Sequence, residues 1–240
     1  MRLDRFLCEC GIGSRSEVKQ YIKAGRIRTN GLPLRDPSAK VTPSEECISF
    51  DGHENSYSKF RYFMLNKPIG VVSATRDRLS DTVLELLKDE ITRDLFPVGR
   101  LDKDTTGLLL LTNDGMLAHN LLSPKKHVEK TYLANVDTEL SEEAMAYFEL
   151  GPDIGDDKPA LPAKIKKEAP FCYRVTLCEG RYHQVKRMFE ACGSKVTGLK
   201  RISFGPLILD EALSEGSYRA LTEEEIVTVQ SLTSNKKSTF

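Results

Sequence analysis

The chain has 240 residues, enough for two domains or for one large core with an appendage. Charged residues make up 29% and the hydrophobic set 40%, with Lys plus Arg and Asp plus Glu equal at 35 each. That balance excludes a histone-like polycation and a disordered chain, and directs attention to where charge clusters. No apolar run approaches the roughly 18 residues of a membrane span, and charges interrupt the first residues where a signal peptide needs an apolar stretch. The expectation is a cytoplasmic protein with no membrane partner. The six cysteines (Cys8, Cys10, Cys47, Cys172, Cys178 and Cys192) form no C-x-x-C pair, so they read as reduced, mostly buried thiols and not as zinc ligands or a redox couple.

From Met1 to Lys40 nine basic residues stand against four acidic ones. Ser14-Arg15-Ser16-Glu17 is a capping box, and Val18, Tyr21 and Ile22 after it mark the buried face of a short helix. Arg15, Lys19 and Lys23 then share another face. Residues 26–29 read as a strand entering an Asn30-Gly31 reversal, so the first unit is expected to be a helical hairpin with small strands. A polar stretch over 43–59 sets a domain boundary near residue 58. Beyond it, strands are expected at 61–66, 71–74, 107–112, 131–136 and 173–178, and helices at 81–88, 141–149 and 183–192, the last stopped by Gly193. The second domain accordingly spans 59–230 and the tail 231–240 is expected to be disordered. The whole reads as an α+β protein without internal repeats.

Leu108 to Leu111 are four consecutive leucines directly after the polar run Gly99-Arg100-Leu101-Asp102-Lys103-Asp104. Such a strand is buried on both faces, so it holds the loop before it rigidly at the rim of a core. By itself an aspartate at position 102 reads more readily as capping a turn or pairing with Arg100. The sequence lacks a P-loop, a dinucleotide fingerprint and a metal-ligand cluster, which leaves chemistry to side chains alone, with no cofactor and no metal.

Residues 2–7 and 14–31, Arg-Leu-Asp-Arg-Phe-Leu followed by Ser-Arg-Ser-Glu-Val-Lys through Asn-Gly, resemble the S4-type RNA-binding module. That likeness makes Arg5, Arg15, Lys19, Lys23 and Arg26 candidate contacts to RNA phosphates, which position a protein without reading bases. The run from Gly99 to Gly115 resembles the catalytic motif of pseudouridine synthases, and two further stretches match that family in order: Glu129-Lys130-Thr131-Tyr132 and Glu179-Gly180-Arg181-Tyr182-His183-Gln184-Val185-Lys186-Arg187. Phe63 to Gly70 and Gly216 to Thr222 resemble its opening and closing segments. The implied architecture is a small S4-type domain followed by a catalytic domain on a mixed, mainly antiparallel sheet with flanking helices.

The resemblance implies that Asp102 is the catalytic carboxylate, Tyr132 a catalytic aromatic that stacks on the target base or takes part in proton transfer, and Lys186 the cation paired with Asp102, with Arg187 the substitute for that last role. Isomerising a uridine breaks the N1 to C1′ bond, turns the base and rejoins it through C5. An ionised carboxylate can attack C1′ or assist loss of the C2′ proton, and the residues do not choose between these routes. Arg181 to Arg201 carries six basic residues against Glu190 alone; with Arg100 and Lys130, the residues Arg181, His183, Gln184 and Arg187 are expected to meet RNA. Asp104 is expected to orient the loop, and His53, His119 and His127 carry no assignment. The third motif, with Tyr-His-Gln-Val-Lys, resembles the small-subunit, RsuA-type branch, which makes 16S rRNA of the pseudouridine-516 type, free or in a small-subunit assembly intermediate, the expected partner of a monomeric enzyme. Alternatives are a large-subunit (23S) rRNA enzyme, a non-catalytic rRNA-binding assembly factor, and a glycoside hydrolase, the last lacking a second catalytic carboxylate.

Overall fold

A computed structural model describes residues 1–43, 45–54, 60–88 and 92–232. The chain divides into two compact units, Met1–Lys59 and Phe60–Phe240. The expected boundary near residue 58 lies outside the described residues, as do positions 233–240 of the expected tail, whereas Ser231 closes a helix.

In the first unit, α1 (Leu3–Glu9) and α2 (Arg15–Lys23) precede four short strands, β1 (Ile27–Thr29), β2 (Leu32–Pro33), β3 (Ile48–Phe50) and β4 (His53–Glu54). The capping box forms in both directions: Glu17 N donates to Ser14 Oγ and Ser14 N to the Glu17 carboxylate at 2.8 Å. The Asn30-Gly31 reversal has positive φ at both residues, 49° and 81°, which matches the twist of the β1–β2 hairpin. Leu3, Phe6, Leu7, Val18, Ile22, Ile27, Val41 and Ile48 form its core. Arg15, Lys19 and Lys23 are exposed on α2. Arg5 instead holds Glu9 at 2.6 Å, and Arg26 holds Asp51 while lying 4.5 Å from the Tyr21 and Phe50 ring centres.

The second unit contains β5 (Tyr62–Lys67), β6 (Phe96–Pro97), β7 (Thr105–Thr112), α3 (Gly115–Leu122), β8 (Lys130–Val136), α4 (Glu142–Leu150), β9 (Lys164–Ala169), β10 (Cys172–Leu177), α5 (Gln184–Ala191), β11 (Val196–Phe204), β12 (Leu207–Ile208), β13 (Tyr218–Ala220) and α6 (Glu223–Ser231). Its sheet runs β13-β5-β7-β11-β8-β10-β9, with β12 on β11 and β6 on β7. Among the strand pairs of the described residues only β7–β11 is parallel; the sheet is mixed and mainly antiparallel, with helices flanking it. Alternate residues of β5 and β7 feed two cores. Phe63, Leu65, Leu109 and Leu111 pack with α5 and with Phe148 of α4, while Tyr62, Met64, Leu108 and Leu110 pack with α3 and Val229 of α6. The four leucines are fully buried, each contributing roughly 1.5–3 kcal/mol by leaving water.

Two expected elements take another form. Residues 71–74 make only a bridge, Val72 to Thr82, and 81–88 form successive turns with i to i+3 hydrogen bonds instead of a helix. Val72 exchanges its backbone bonds with Asp81 and Val83, which withdraws those groups from a helical ladder. Val83, Leu84 and Leu87 still reach the core through those turns, so their helical spacing carried burial but not helix. The thiols also differ from expectation: Cys47 is exposed and the other five are half-buried.

Gly107, at φ +99°, lies against Arg201 at the parallel β7–β11 pairing, where a Cβ would overlap the Arg201 backbone oxygen and nitrogen. Gly107→Ala is expected to force these strands apart and destabilise the second unit by at least about 3 kcal/mol. Gly115→Ala, where a Cβ meets nothing within 4 Å, should leave the urea midpoint nearly unchanged. Equal midpoints for the two variants would contradict this account of the strand pairing.

Candidate active site

Leu101 and Asp102 lead into β7, and four anchors hold them. Ser73 Oγ donates to Leu101 O at 2.8 Å and accepts from Leu101 N at 3.0 Å. Gly70 N donates to Lys103 O at 2.8 Å, and Thr105 N to Asp102 O at 3.1 Å. Beneath the loop the fully buried Lys67 Nζ donates to Asp102 O at 3.0 Å, Thr105 O at 2.9 Å and Pro68 O at 3.1 Å. Burial pushes this ammonium down to about 8, and the negative charges of Asp102 and Asp104 oppose that shift. Its three donations to carbonyls use all three hydrogens of a charged ammonium.

The Asp102 carboxylate opens into a pocket of about 130 Å³. Its side chain is 31% exposed, with Lys186 Nζ at 3.5 Å and His183 Nε2 at 3.6 Å. The closest partner of Lys186 is instead Asp104, at 2.6 Å, and this hydrogen bond holds the Asp104 carboxyl below its ordinary value. Lys186 therefore bridges two carboxylates. It extends from the first turn of α5, whose Val185, Met188 and Phe189 are buried in the core and fix the helix. His183 precedes α5 in the left-handed region, φ 49°, with the exposed Tyr182 ring stacked on it at 3.8 Å.

Tyr132 is buried and lines the pocket from β8. Lys130, on the same strand, is also buried in the lining, where it donates to Val128 O at 3.1 Å. Arg100 is exposed at the pocket edge. Arg187 turns away toward Asp156 (2.6 Å), Ile154 O and Tyr182 O, and Arg181 toward Glu179, Asp156 and the carbonyls of Lys158 and Pro159. Gln184 is buried, accepting from Arg181 N at 2.9 Å and donating to Glu179. Those three side chains brace the stretch before α5, so Lys186 and not Arg187 faces Asp102.

Two residues of the site had no role assigned from sequence. Lys67 closes a mostly apolar strand, Tyr62-Phe-Met-Leu-Asn-Lys, and a lysine there signals a buried ammonium. Arg201 counted only as one of a basic run, yet it is 2% exposed and lines the pocket.

Residues 61–191 match the family model for RNA pseudouridylate synthase, and residues 1–47 that for the S4 domain. The chain is 47% identical over 231 residues to a Bacillus subtilis protein described as an uncharacterized RNA pseudouridine synthase, covering 94% of this chain and 97% of the relative. It is 41% identical to the ribosomal small subunit pseudouridine synthase A of Salmonella typhimurium, covering 95% and 100%, and 40% identical to that of Escherichia coli with the same coverage. A crystal structure of a pseudouridylate synthase aligns with a TM-score of 0.68 at 39% identity, over 95% of this chain and 99% of the other.

Ser73 is 7% exposed and satisfies both backbone groups of Leu101. Ser73→Ala leaves a buried N–H and C=O without partners, an expected cost of about 1–3 kcal/mol, read as a lower urea midpoint for the second unit. An unchanged midpoint would mean that the hydroxyl does not anchor the Asp102 loop.

Proposed function

Because the chain belongs to the RNA pseudouridylate synthase family and carries an S4 domain, we propose that it isomerises a uridine of 16S rRNA, of the position-516 type, with Asp102 as the catalytic carboxylate. The observation that carries this reading is convergence: Asp102, Tyr132 and Lys186 come from three separated stretches and line one pocket. The near full-length similarity to proteins named ribosomal small subunit pseudouridine synthase A supports the choice of RNA. The substrate is taken free or in a small-subunit assembly intermediate, by a monomer.

The target nucleotide leaves its stack to reach this pocket, and the Tyr132 ring supplies a surface for the extruded base. Asp102 then acts at the ribose, by attack on C1′ or by assisting loss of the C2′ proton; either requires the ionised carboxylate. The N1–C1′ bond breaks, the base turns, and C5 bonds to C1′ as the Asp102–C1′ bond breaks or, in the second route, as the proton returns to C2′. The C5 proton departs and N1 gains one, so atoms balance without a cofactor. Lys186, bridging Asp102 and Asp104, fixes the direction of the carboxylate.

RNA phosphates meet Arg15, Lys19 and Lys23 of α2 first, because these are exposed, whereas Arg5 and Arg26 already hold Glu9 and Asp51. In the second unit Arg100 and His183 are the foremost contacts. Arg181, Gln184 and Arg187 act as braces behind them.

The test is to map pseudouridines in rRNA from cells lacking this chain and supplied with wild type, Asp102→Asn or Asp104→Asn. Asparagine keeps the shape of Asp102 but removes its charge and nucleophilicity, so a 16S pseudouridine should return with wild type and not with Asp102→Asn. Turnover by purified Asp102→Asn should fall at least about 10⁴-fold, with RNA affinity held or slightly tightened by loss of a negative charge. Asp104→Asn should stay within about tenfold of wild type, since Lys186 keeps Asp102 as a partner. Loss of a 23S site with 16S unchanged would overturn the substrate, and full turnover by Asp102→Asn would overturn the catalytic role.

A further inference from the structure

Lys130 and Arg201 lie in the lining of the Asp102 pocket and are only 9% and 2% exposed. Burying a cation is costly unless it is paired, and the protein gives these two little in return. Lys130 Nζ has Val128 O at 3.1 Å and the Phe204 ring at 5.5 Å. Arg201 Nε donates to Leu108 O at 2.8 Å, its guanidinium lies 5.0 Å from the same ring, and its buried Nη2 has no hydrogen-bond partner among the described residues. Neither forms an ion pair among the described residues. Lys186, by contrast, is committed to two carboxylates.

Strand register sets the pair around Tyr132. Arg201 stands opposite Tyr132 across the β8–β11 ladder, and Lys130 is two residues from Tyr132 on β8, hence on the same face. Burial, and then the like charge of Arg201, hold the Lys130 ammonium below its ordinary value. The opposite charge of a bound anion offsets both effects.

The chemistry of the site supplies such an anion, given the reading above that a uridine is isomerised at Asp102. When N1–C1′ breaks, its electron pair stays with the base. The positive centre left on the ribose is taken up by the Asp102 carboxylate or by loss of the C2′ proton. The base is then uracilate, its charge spread over N1 and the exocyclic oxygens, until C5 gives its pair to C1′. We propose that Lys130 and Arg201 form the leaving-group site, holding the exocyclic oxygens of the departing uracilate while its ring rests on Tyr132. Preorganised donors aimed at developing charge in a dry pocket favour the transition state over the neutral bound base.

A leaving-group role depends on the acidity of the base, whereas a structural role does not. The experiment compares single-turnover cleavage of N1–C1′ in a 16S stem-loop transcript containing uridine or 5-fluorouridine, the more acidic base. Fluorine at C5 leaves no proton to lose after C5–C1′ closure, so the readout on that RNA is disappearance of 5-fluorouridine after digestion to nucleosides. Lys130→Met and Arg201→Gln should each slow uridine cleavage by about 10² to 10³-fold, and the deficit should shrink at least about tenfold on the fluorinated RNA. Lys130→Arg, which keeps the charge, should restore most of the rate. Because Arg201 also bonds Leu108 O, thermal melting accompanies each variant, and Lys130→Met decides the matter if Arg201→Gln fails to fold. Equal deficits on both RNAs, or no deficit in Lys130→Met, would overturn the leaving-group site. A wild-type enzyme that turns over neither RNA would overturn the underlying reading instead, a distinct result.

Discussion

The buried ammonium of Lys67 underlies the geometry of the Asp102 loop. Lys67 ends β5 with no exposed surface and directs its three donors into the carbonyls of Pro68, Asp102 and Thr105. Burial of that charge is unfavourable, as its lowered proton affinity records, and the three carbonyls with the nearby carboxylates offset the cost. The result is a loop whose backbone is held from below by Lys67, from the side by Ser73, and from ahead by β7. A carboxylate on such a loop has little freedom to turn away, and small displacements of a reacting group cost much in rate.

The same constraint distributes charge in the pocket. Asp102 and Asp104 share Lys186 at the rim, so that helix α5 and the loop before β7 are tied through side chains more than 80 positions apart. Arg181 and Arg187 are drawn off to Asp156 and neighbouring carbonyls, which keeps them from competing for Asp102. Lys130 and Arg201, in the lining of the same pocket, have no carboxylate partners among the described residues. Two carboxylates at the rim and two buried cations in the lining follow from one arrangement of strands, in which Gly107 permits β7 to approach β11 closely at Arg201.

Much of this was legible in the sequence wherever a local pattern had a single physical outcome. The capping box at Ser14, the Asn30-Gly31 reversal and the doubly buried run Leu108 to Leu111 all formed as their chemistry requires. Legibility failed where a pattern had two outcomes. Val83, Leu84 and Leu87 have helical spacing, but Val72 claimed the neighbouring backbone groups and turns carried those side chains inward. Five of the six cysteines came to rest half-buried and Cys47 exposed. Motif resemblance gathered Asp102, Tyr132 and Lys186, yet it carried no information on the partner of each basic residue. Lys186 taking Asp104 as its closest partner, Arg187 facing Asp156, and Arg201 lying buried depend on how distant segments meet in space, which no local pattern in the sequence encodes.

The central claim is that an extruded uridine rests on Tyr132 with its ribose presented to Asp102. A crystal structure of the full chain bound to a 16S stem-loop carrying 5-fluorouridine at the target tests it most directly. The account predicts the target base out of its stack, its ring on Tyr132, and C1′ about 3–3.5 Å from an Asp102 carboxylate oxygen or bonded to it. A target nucleotide still stacked in the stem, or one bound with its ribose remote from Asp102, would contradict it.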